Sequence, residues 1–209
     1  PRSTLFPYTT LFRSDPALLF AGAQYVPLAA NLGLASTKTL SFDVWFTTTY
    51  AGVGYPRLIV EKNPSSPYGE VSMFVAPTGN SKLYGFMKTD TGATINIPFP
   101  VVAVNDGALH HGVFVCNGVN GLVYLDDTAG TPLALPAGAV TTTVTRLSDI
   151  SAYYLGGLLS VRAYSTALSA ADVAQNYAAG LTGTDYVRTG LVLDLSAARA
   201  VRPSGWVDL

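Results

Sequence analysis

Short extended segments packed as an all-β domain, with one short helix near the C-terminal end, are expected from three features of this chain. Apolar and polar residues alternate with period two over separate stretches, most cleanly where Leu40, Phe42, Val44 and Phe46 interleave with Ser41, Asp43 and Trp45. Between such stretches lie turn formers, as in Asn63-Pro64-Ser65-Ser66-Pro67 and Asn117-Gly118-Val119-Asn120-Gly121. Residues that favour helix are scarce: Glu61 and Glu70 are the only glutamates, while Thr, Val, Tyr, Gly and Pro are abundant. A chain of 209 residues can bury the core of one β-sandwich and carry a short appendage.

Composition narrows the function classes. The formal net charge is −1 with 12% charged residues, and Lys and Arg are dispersed, so no basic footprint for nucleic acid is present. Gly, Pro, Asn and charged residues interrupt every apolar run, and no membrane insertion is expected. Cys116 is the only cysteine and cannot form an intrachain disulfide; in its alternating segment it reads as a small core hydrophobe. A large sandwich core does not need disulfides, so an exported chain remains compatible with this cysteine usage.

Residues 1–14, PRSTLFPYTTLFRS, repeat Thr-Leu-Phe around Phe6 and Phe12, lack an initiator Met and resemble translated sequencing-adapter sequence. They are expected to be a non-native or disordered tail; the competing reading is a targeting segment in which Arg13 precedes the apolar Ala17–Ala23. The main domain is assigned to residues 15–182. After the strand around Leu40–Phe46, Arg57–Lys62, Tyr68–Val75 and Lys82–Lys88 read as further strands, with a hairpin turn at Pro77–Asn80. His110–Val115 and Leu122–Asp126 flank the Asn-Gly turn. Pro132, Pro136 and Gly138 mark a connecting loop leading to Thr141–Thr145 as an exposed or edge strand. Near the end, Leu159, Val161 and Ala163 alternate with Ser160, Arg162 and Tyr164. A helix then starts at the N-cap Ser169, with Asp172 three residues on, a Leu168–Val173 staple and Gly180 as the stop. Val173 and Tyr177 give it an apolar stripe for docking on a sheet.

The stretch VRAYSTALSAADVAQNYAAG, Val161 to Gly180, resembles the C-terminal signature of the laminin G-like, concanavalin A-like family, whose last strand runs into a short Leu-Ser-x-x-[Glu/Asp] helix. Further matches are Phe20, Gly22, Tyr25 and Val26 in the opening strand, Trp45, the Arg57–Lys62 strand, and the His110–Val115 and Leu122–Asp126 hairpin. Leu109 stands where Trp is usual in the family, and Asp127 where Gly is usual, which leaves the geometry of that turn open. The resemblance spans residues 17–180 and implies a two-sheet antiparallel jelly-roll sandwich, usually a non-catalytic binding or adhesion module. Beyond Gly180, Gly190–Leu195 and Ser204–Leu209 resemble the opening of another such module. Residues 183–209 are therefore expected to be a linker and the truncated start of a further module. Leu191–Leu195 would be a strand without its own sheet or one added to an edge of this sandwich.

Catalysis is not expected. Retaining glucanases of this architecture carry closely spaced acids, whereas Glu61 and Glu70 fall on different strands; no activated Ser or Cys and no phosphate-binding Gly loop occurs. His110 and His111 point to opposite faces of an extended strand and cannot chelate one ion together; hydrogen bonding within the sheet is their reading. Asp126 and Asp127 are candidate ligands for a calcium ion, as in some domains of the resembled family, if Asp90, Asp106 or Asp149 converges with them; otherwise they are turn formers. Trp45, Tyr50, Tyr55 and Tyr68 are candidate contacts for a glycan or glycoprotein held by loops at one rim, each with a structural packing role as the alternative. The expected role is a binding module of an extracellular or cell-surface protein. Its rival is a structural or adhesive unit of a phage tail or virion component.

Overall fold

The computed structural model describes residues 17–196 apart from 23, 29–30, 53, 67, 77–80, 101, 150–152 and 182–184. The expected tail at 1–14, the turn at Pro77–Asn80 and the Ser204–Leu209 segment lie outside the described residues. In chain order the elements are β1 (Leu18–Ala21), β2 (Val26–Pro27), a 3-10 turn (Leu34–Thr37), β3 (Thr39–Thr47), β4 (Arg57–Lys62), β5 (Glu70–Val75) and β6 (Leu83–Lys88). There follow β7 (Thr94–Pro98), β8 (Leu109–Asn117), β9 (Asn120–Leu125), β10 (Thr128–Ala129), β11 (Leu133–Ala134), β12 (Val144–Leu147), β13 (Leu155–Tyr164), α1 (Ala170–Ala179) and β14 (Leu191–Ser196).

Two antiparallel sheets face each other. The eight-stranded sheet runs β1-β13-β3-β8-β9-β10, with β11 also on β9 and β14 also on β13; the six-stranded sheet runs β2-β12-β4-β5-β6-β7. This is the all-β, two-sheet sandwich with one short helix expected from the sequence. No helix among the described residues is long and apolar enough to cross a membrane.

Period-two alternation builds the layer between the sheets. Leu40, Phe42, Val44 and Phe46 of β3 are fully buried in one core with Val71, Met73 and Val75 of β5, Leu83 and Met87 of β6, and Ile97 of β7. Each such side chain stabilises the fold by about 1.5–3 kcal/mol when removed from water. The opening segment belongs to both layers, since β1 pairs with β13 in one sheet and β2 with β12 in the other. Close approach of the layers depends on Gly85 of β6, where a Cβ would stand 2.3 Å from the ring of Phe114 on β8.

Two strand readings need correction. On β13, Leu158 rather than Leu159 takes the inward position beside Val161 and Ala163, because the pairing with β3 shifts between Leu158 and Ser160. The extra bulge residue re-phases the alternation. The strand expected at Thr141–Thr145 begins instead at Val144 and lies between β2 and β4, with Thr145 and Leu147 buried. Thr141 and Thr142 are held by side chains, their hydroxyls donating to Asp90 and Glu61. β14 adds to an edge of this sandwich. It shares one edge of β13 with β1: Ser196 lies opposite Ser160, and Leu18 lies opposite Leu158. The two short strands thus run end to end in the same direction.

The helix forms as its sequence signals require. The Ser169 hydroxyl accepts from the backbone N–H of Asp172 at 3.2 Å, and the Asp172 carboxylate accepts from the Ser169 N–H at 2.8 Å, a complete capping box. Leu168 and Val173 pack in one small cluster with Val113, Val115, Tyr124 and Tyr164 on the outer side of the eight-stranded sheet. Gly180 ends the helix at φ 62°, donating to the carbonyls of Asn176 and Tyr177.

Gly85→Val is expected to force Phe114 or β6 out of place and to lower stability by about 1–3 kcal/mol. Urea unfolding followed by far-UV circular dichroism reads this as a lower midpoint at unchanged slope.

Candidate functional site

Each sheet has an outer face, and the two differ in what covers them. On the eight-stranded sheet, Asp43, Trp45, His111, Ser160 and Arg162 all point away from the core and are all buried. Asp43 is the centre. Its Oδ2 accepts from Asn176 Nδ2 of α1 at 2.7 Å, while Oδ1 lies 3.2 Å from His111 Nε2 and 3.6 Å from an Arg162 nitrogen. The Arg162 guanidinium also sits 4.2 Å over the Tyr186 ring and 3.6 Å from the Asp194 carboxylate, which accepts from the Tyr186 hydroxyl at 2.6 Å. Asn176 closes the circuit, its side-chain oxygen accepting from the Val187 N–H at 2.7 Å and its Nδ2 donating to the Tyr164 hydroxyl at 3.0 Å. Burial alone would push the Asp43 carboxyl up; the charges and hydrogen bonds of His111, Arg162 and Asn176 outweigh it and hold the group below its ordinary value. Burial and the Asp43 charge push the Tyr164 phenol up, keeping it neutral.

Trp45, expected among the ligand-contact aromatics, belongs to this closed face. Its ring stacks on His111 at 4.7 Å and on Tyr177 of α1 at 5.7 Å with an interplanar angle of 6°, leaving it 8% exposed. The His111 and Tyr177 rings also approach each other at 5.7 Å, so the three rings form one cluster between β3, β8 and α1. At 8% exposure Trp45 takes the packing role that was the alternative to sugar contact.

The hairpin between β9 and β10 fixes Asp126 and Asp127. Both have positive φ, 49° and 64°, in a two-residue loop between the paired Leu125 and Thr128, a conformation that Asp tolerates where Gly is more usual. Asp126 is internally engaged: one carboxylate oxygen accepts from the His111 backbone N–H at 2.8 Å, the other lies 2.8 Å from His110 Nδ1. Asp106 reaches the second nitrogen of the same ring at 3.2 Å. Asp90 is bonded to Thr141, and Asp149 pairs with Lys62 and Arg146 on the other sheet. Among the described residues, no three His, Cys, Asp or Glu side chains converge in a way that could hold a metal ion.

Among the described residues no helix lies on the outer face of the six-stranded sheet, and strand registers lay its side chains out in rows. Arg57, Phe74, Tyr84 and Pro98 form one row; Arg146, Val60, Ser72, Phe86 and Asn96 the next; Lys62, Glu70, Lys88 and Thr94 the third. Phe74 and Tyr84 stack at 5.2 Å and 3°, with Phe86 edge-on to Phe74 at 6.3 Å. Arg57 donates twice to one Glu70 oxygen, at 2.7 and 3.0 Å, and the Ser72 hydroxyl donates to the same atom at 2.8 Å. Arg146 also covers the Tyr25 ring at 5.0 Å.

Two of the expected aromatics bracket this face. Tyr55, 55% exposed, meets Phe74 edge-on at 5.4 Å; Tyr68, 53% exposed, lies 5.5 Å beneath the Lys88 ammonium. Tyr50 sits in the loop after β3, where its carbonyl accepts from Asn105. The two glutamates are separated by the sheet itself. Glu61 points inward, its carboxylate accepting from the Leu34 N–H and the Thr142 hydroxyl, and burial pushes its carboxyl up against those bonds; Glu70 points outward. Phe74, Tyr84, Phe86 and Arg146 were not among the expected contacts. The signal of the three aromatics is present in Glu-Val-Ser-Met-Phe-Val and Leu-Tyr-Gly-Phe-Met-Lys, where they occupy positions between the core residues.

No protein-family model and no curated protein sequence matches the chain. Solved structures do resemble it. The native heptameric SAP-like pentraxin of Limulus polyphemus superposes with a TM-score of 0.61 at 12% identity, over 86% of this chain and 94% of that one. Domain 4 of AbnA, an extracellular GH43 arabinanase of Geobacillus stearothermophilus solved with arabinotriose, gives 0.56 at 16% identity, over 75% and 74%. The LG4-5 domains of the mouse laminin alpha1 chain give 0.51 at 10% identity, over 70% of this chain and 40% of that one. The chain has the concanavalin A-like jelly-roll fold.

Asp43→Asn is expected to leave Arg162 and His111 facing a neutral amide and to cost about 3 kcal/mol at neutral pH. Because the Asp43 pKa is lowered by folding, its contribution is present above the ordinary carboxylate range and is lost as pH falls through the folded value. Urea midpoints of the two proteins should differ clearly at pH 7 and draw together as the pH is taken below the ordinary carboxylate range.

Proposed function

We propose that this chain is a non-catalytic carbohydrate-binding module that holds a glycan against the outer face of its six-stranded sheet. The observation that carries this reading is the half-buried pair Tyr84 and Phe86, set over a buried floor of Phe74 and Ser72 and flanked by the exposed Asn96 and the Arg57–Glu70 pair, on the face that α1 leaves uncovered. Flat aromatic surface suits the C–H faces of a sugar ring, and nearby amides, hydroxyls and charged groups suit its hydroxyls. The arabinotriose complex of the similar arabinanase domain supports a sugar ligand for a sandwich of this kind. The side-chain arrangement supports a role without hydrolysis, since the carboxylates of Glu61 and Glu70 lie on opposite sides of the sheet and cannot flank one glycosidic bond. Tyr55 and Tyr68 contribute at the two ends of the face, and the protein that carries the module acts outside the cell.

The test is a glycan array followed by calorimetry on the best oligosaccharide. Phe86→Ala and Tyr84→Ala should each weaken binding about tenfold, as loss of a ring contact worth about 1–1.5 kcal/mol requires, with circular dichroism unchanged. Full affinity in both variants, with loss on changing the rim residues Tyr50 and Asp127, would refute the face and favour a loop site.

A further inference from the structure

The charges on the open face point to the kind of sugar. Resting on the reading above, we infer that the module selects acidic glycans, with a carboxylate or sulfate group seated at Lys88 beside Tyr68 while the ring lies over Phe86. Four cationic side chains line this face, Arg57, Lys62, Lys88 and Arg146, against two carboxylates, Glu70 and Asp149. Four of the chain's 12 Lys and Arg thus share one face, where they outnumber the carboxylates four to two.

The carboxylates are already engaged. Glu70 accepts from Arg57 and Ser72, and Asp149 pairs with both Lys62 and Arg146. Asp90, two residues beyond Lys88, accepts from the backbone N–H and the hydroxyl of Thr141. Lys88 is in none of the ion pairs formed among the described residues; its ammonium instead lies 5.5 Å over the Tyr68 ring. A cation held over an aromatic face keeps its charge and its three donors, and a sugar carboxylate or sulfate can accept from it without displacing a protein carboxylate. Phe86, two residues before Lys88 on the same strand, projects from the same face, so a sugar ring stacked there can extend its acidic group to the ammonium.

The experiment compares the full chain on polygalacturonate, a sulfated galactan and a neutral galactan, by affinity electrophoresis and calorimetry at low salt and at 0.5 M NaCl. At least one acidic polymer should bind about tenfold tighter than the neutral one, and salt should erode that margin through screening. Lys88→Gln should cut the acidic-to-neutral affinity ratio severalfold, and the preferred acidic arm identifies whether carboxylate or sulfate is read. If the neutral polymer binds as tightly as both acidic ones and Phe86→Ala abolishes that binding, the inference of charge selection is overturned while the aromatic face stands. If Lys88→Gln leaves the ratio unchanged, the seat at Lys88 is overturned. Binding to none of the three polymers counts against both the selection and the proposed face.

Discussion

A fully buried carboxylate on the outer side of a sheet determines which face of this sandwich is closed. Asp43 sits on the central strand β3, which alternation alone would leave facing water. A charge there must be met by donors and opposite charge or it would not stay ionised. His111 and Arg162 supply part of the compensation from neighbouring strands. The rest comes from Asn176 on α1 and, through Arg162, from Tyr186 and Asp194. The helix and the segment after it are thus drawn onto the eight-stranded sheet by polar bonds as well as by Val173 and Leu168. With that face sealed, the outer side of the other sheet is the surface on which the proposed recognition rests.

The C-terminal segment is part of the same constraint. Residues 185–196, which include the Gly190–Leu195 stretch expected to open a further module, contribute Tyr186, Asp194 and β14 to this sandwich. Asp194 lies opposite Arg162 in the β13–β14 ladder as well as in the ion pair. β14 and β1 divide one edge of β13 between them, so the strand that closes the chain's described part and the strand that opens it complete a single line of pairing.

Much of the fold was legible because its causes are local. Period-two alternation in Leu40–Phe46 and the Ser169–Asp172 capping box are written in adjacent residues, and both appear as expected. The failures have non-local causes. Leu159 loses its inward place to a bulge set by pairing with β3, and Thr141–Thr143 are diverted by Asp90, Glu61 and a backbone bond to Lys62, groups 51 or more residues away. The site was less legible for the same reason. Trp45 stands at an outward position, and only the docking of Tyr177 beside His111 shows that it is buried. Asn176 reads as a polar helix residue until Asp43 is found 2.7 Å away. Conversely, Phe74, Tyr84 and Phe86 merge with the core residues beside them into nearly continuous apolar runs, which conceals that they face outward. Tyr55 and Tyr68, expected as contacts in the loops of one rim, lie instead beside Phe74 and Lys88 of the six-stranded sheet.

The central claim is that packing closes one outer face and leaves recognition to the other. Backbone chemical-shift mapping by NMR during titration with a bound oligosaccharide tests it most directly. Perturbations centred on β5, β6 and β7, at Ser72, Phe74, Tyr84, Phe86, Lys88 and Asn96, are the predicted result. Perturbations centred on α1 and Trp45, or on the Asp126–Asp127 rim with the six-stranded sheet unmoved, would contradict the account.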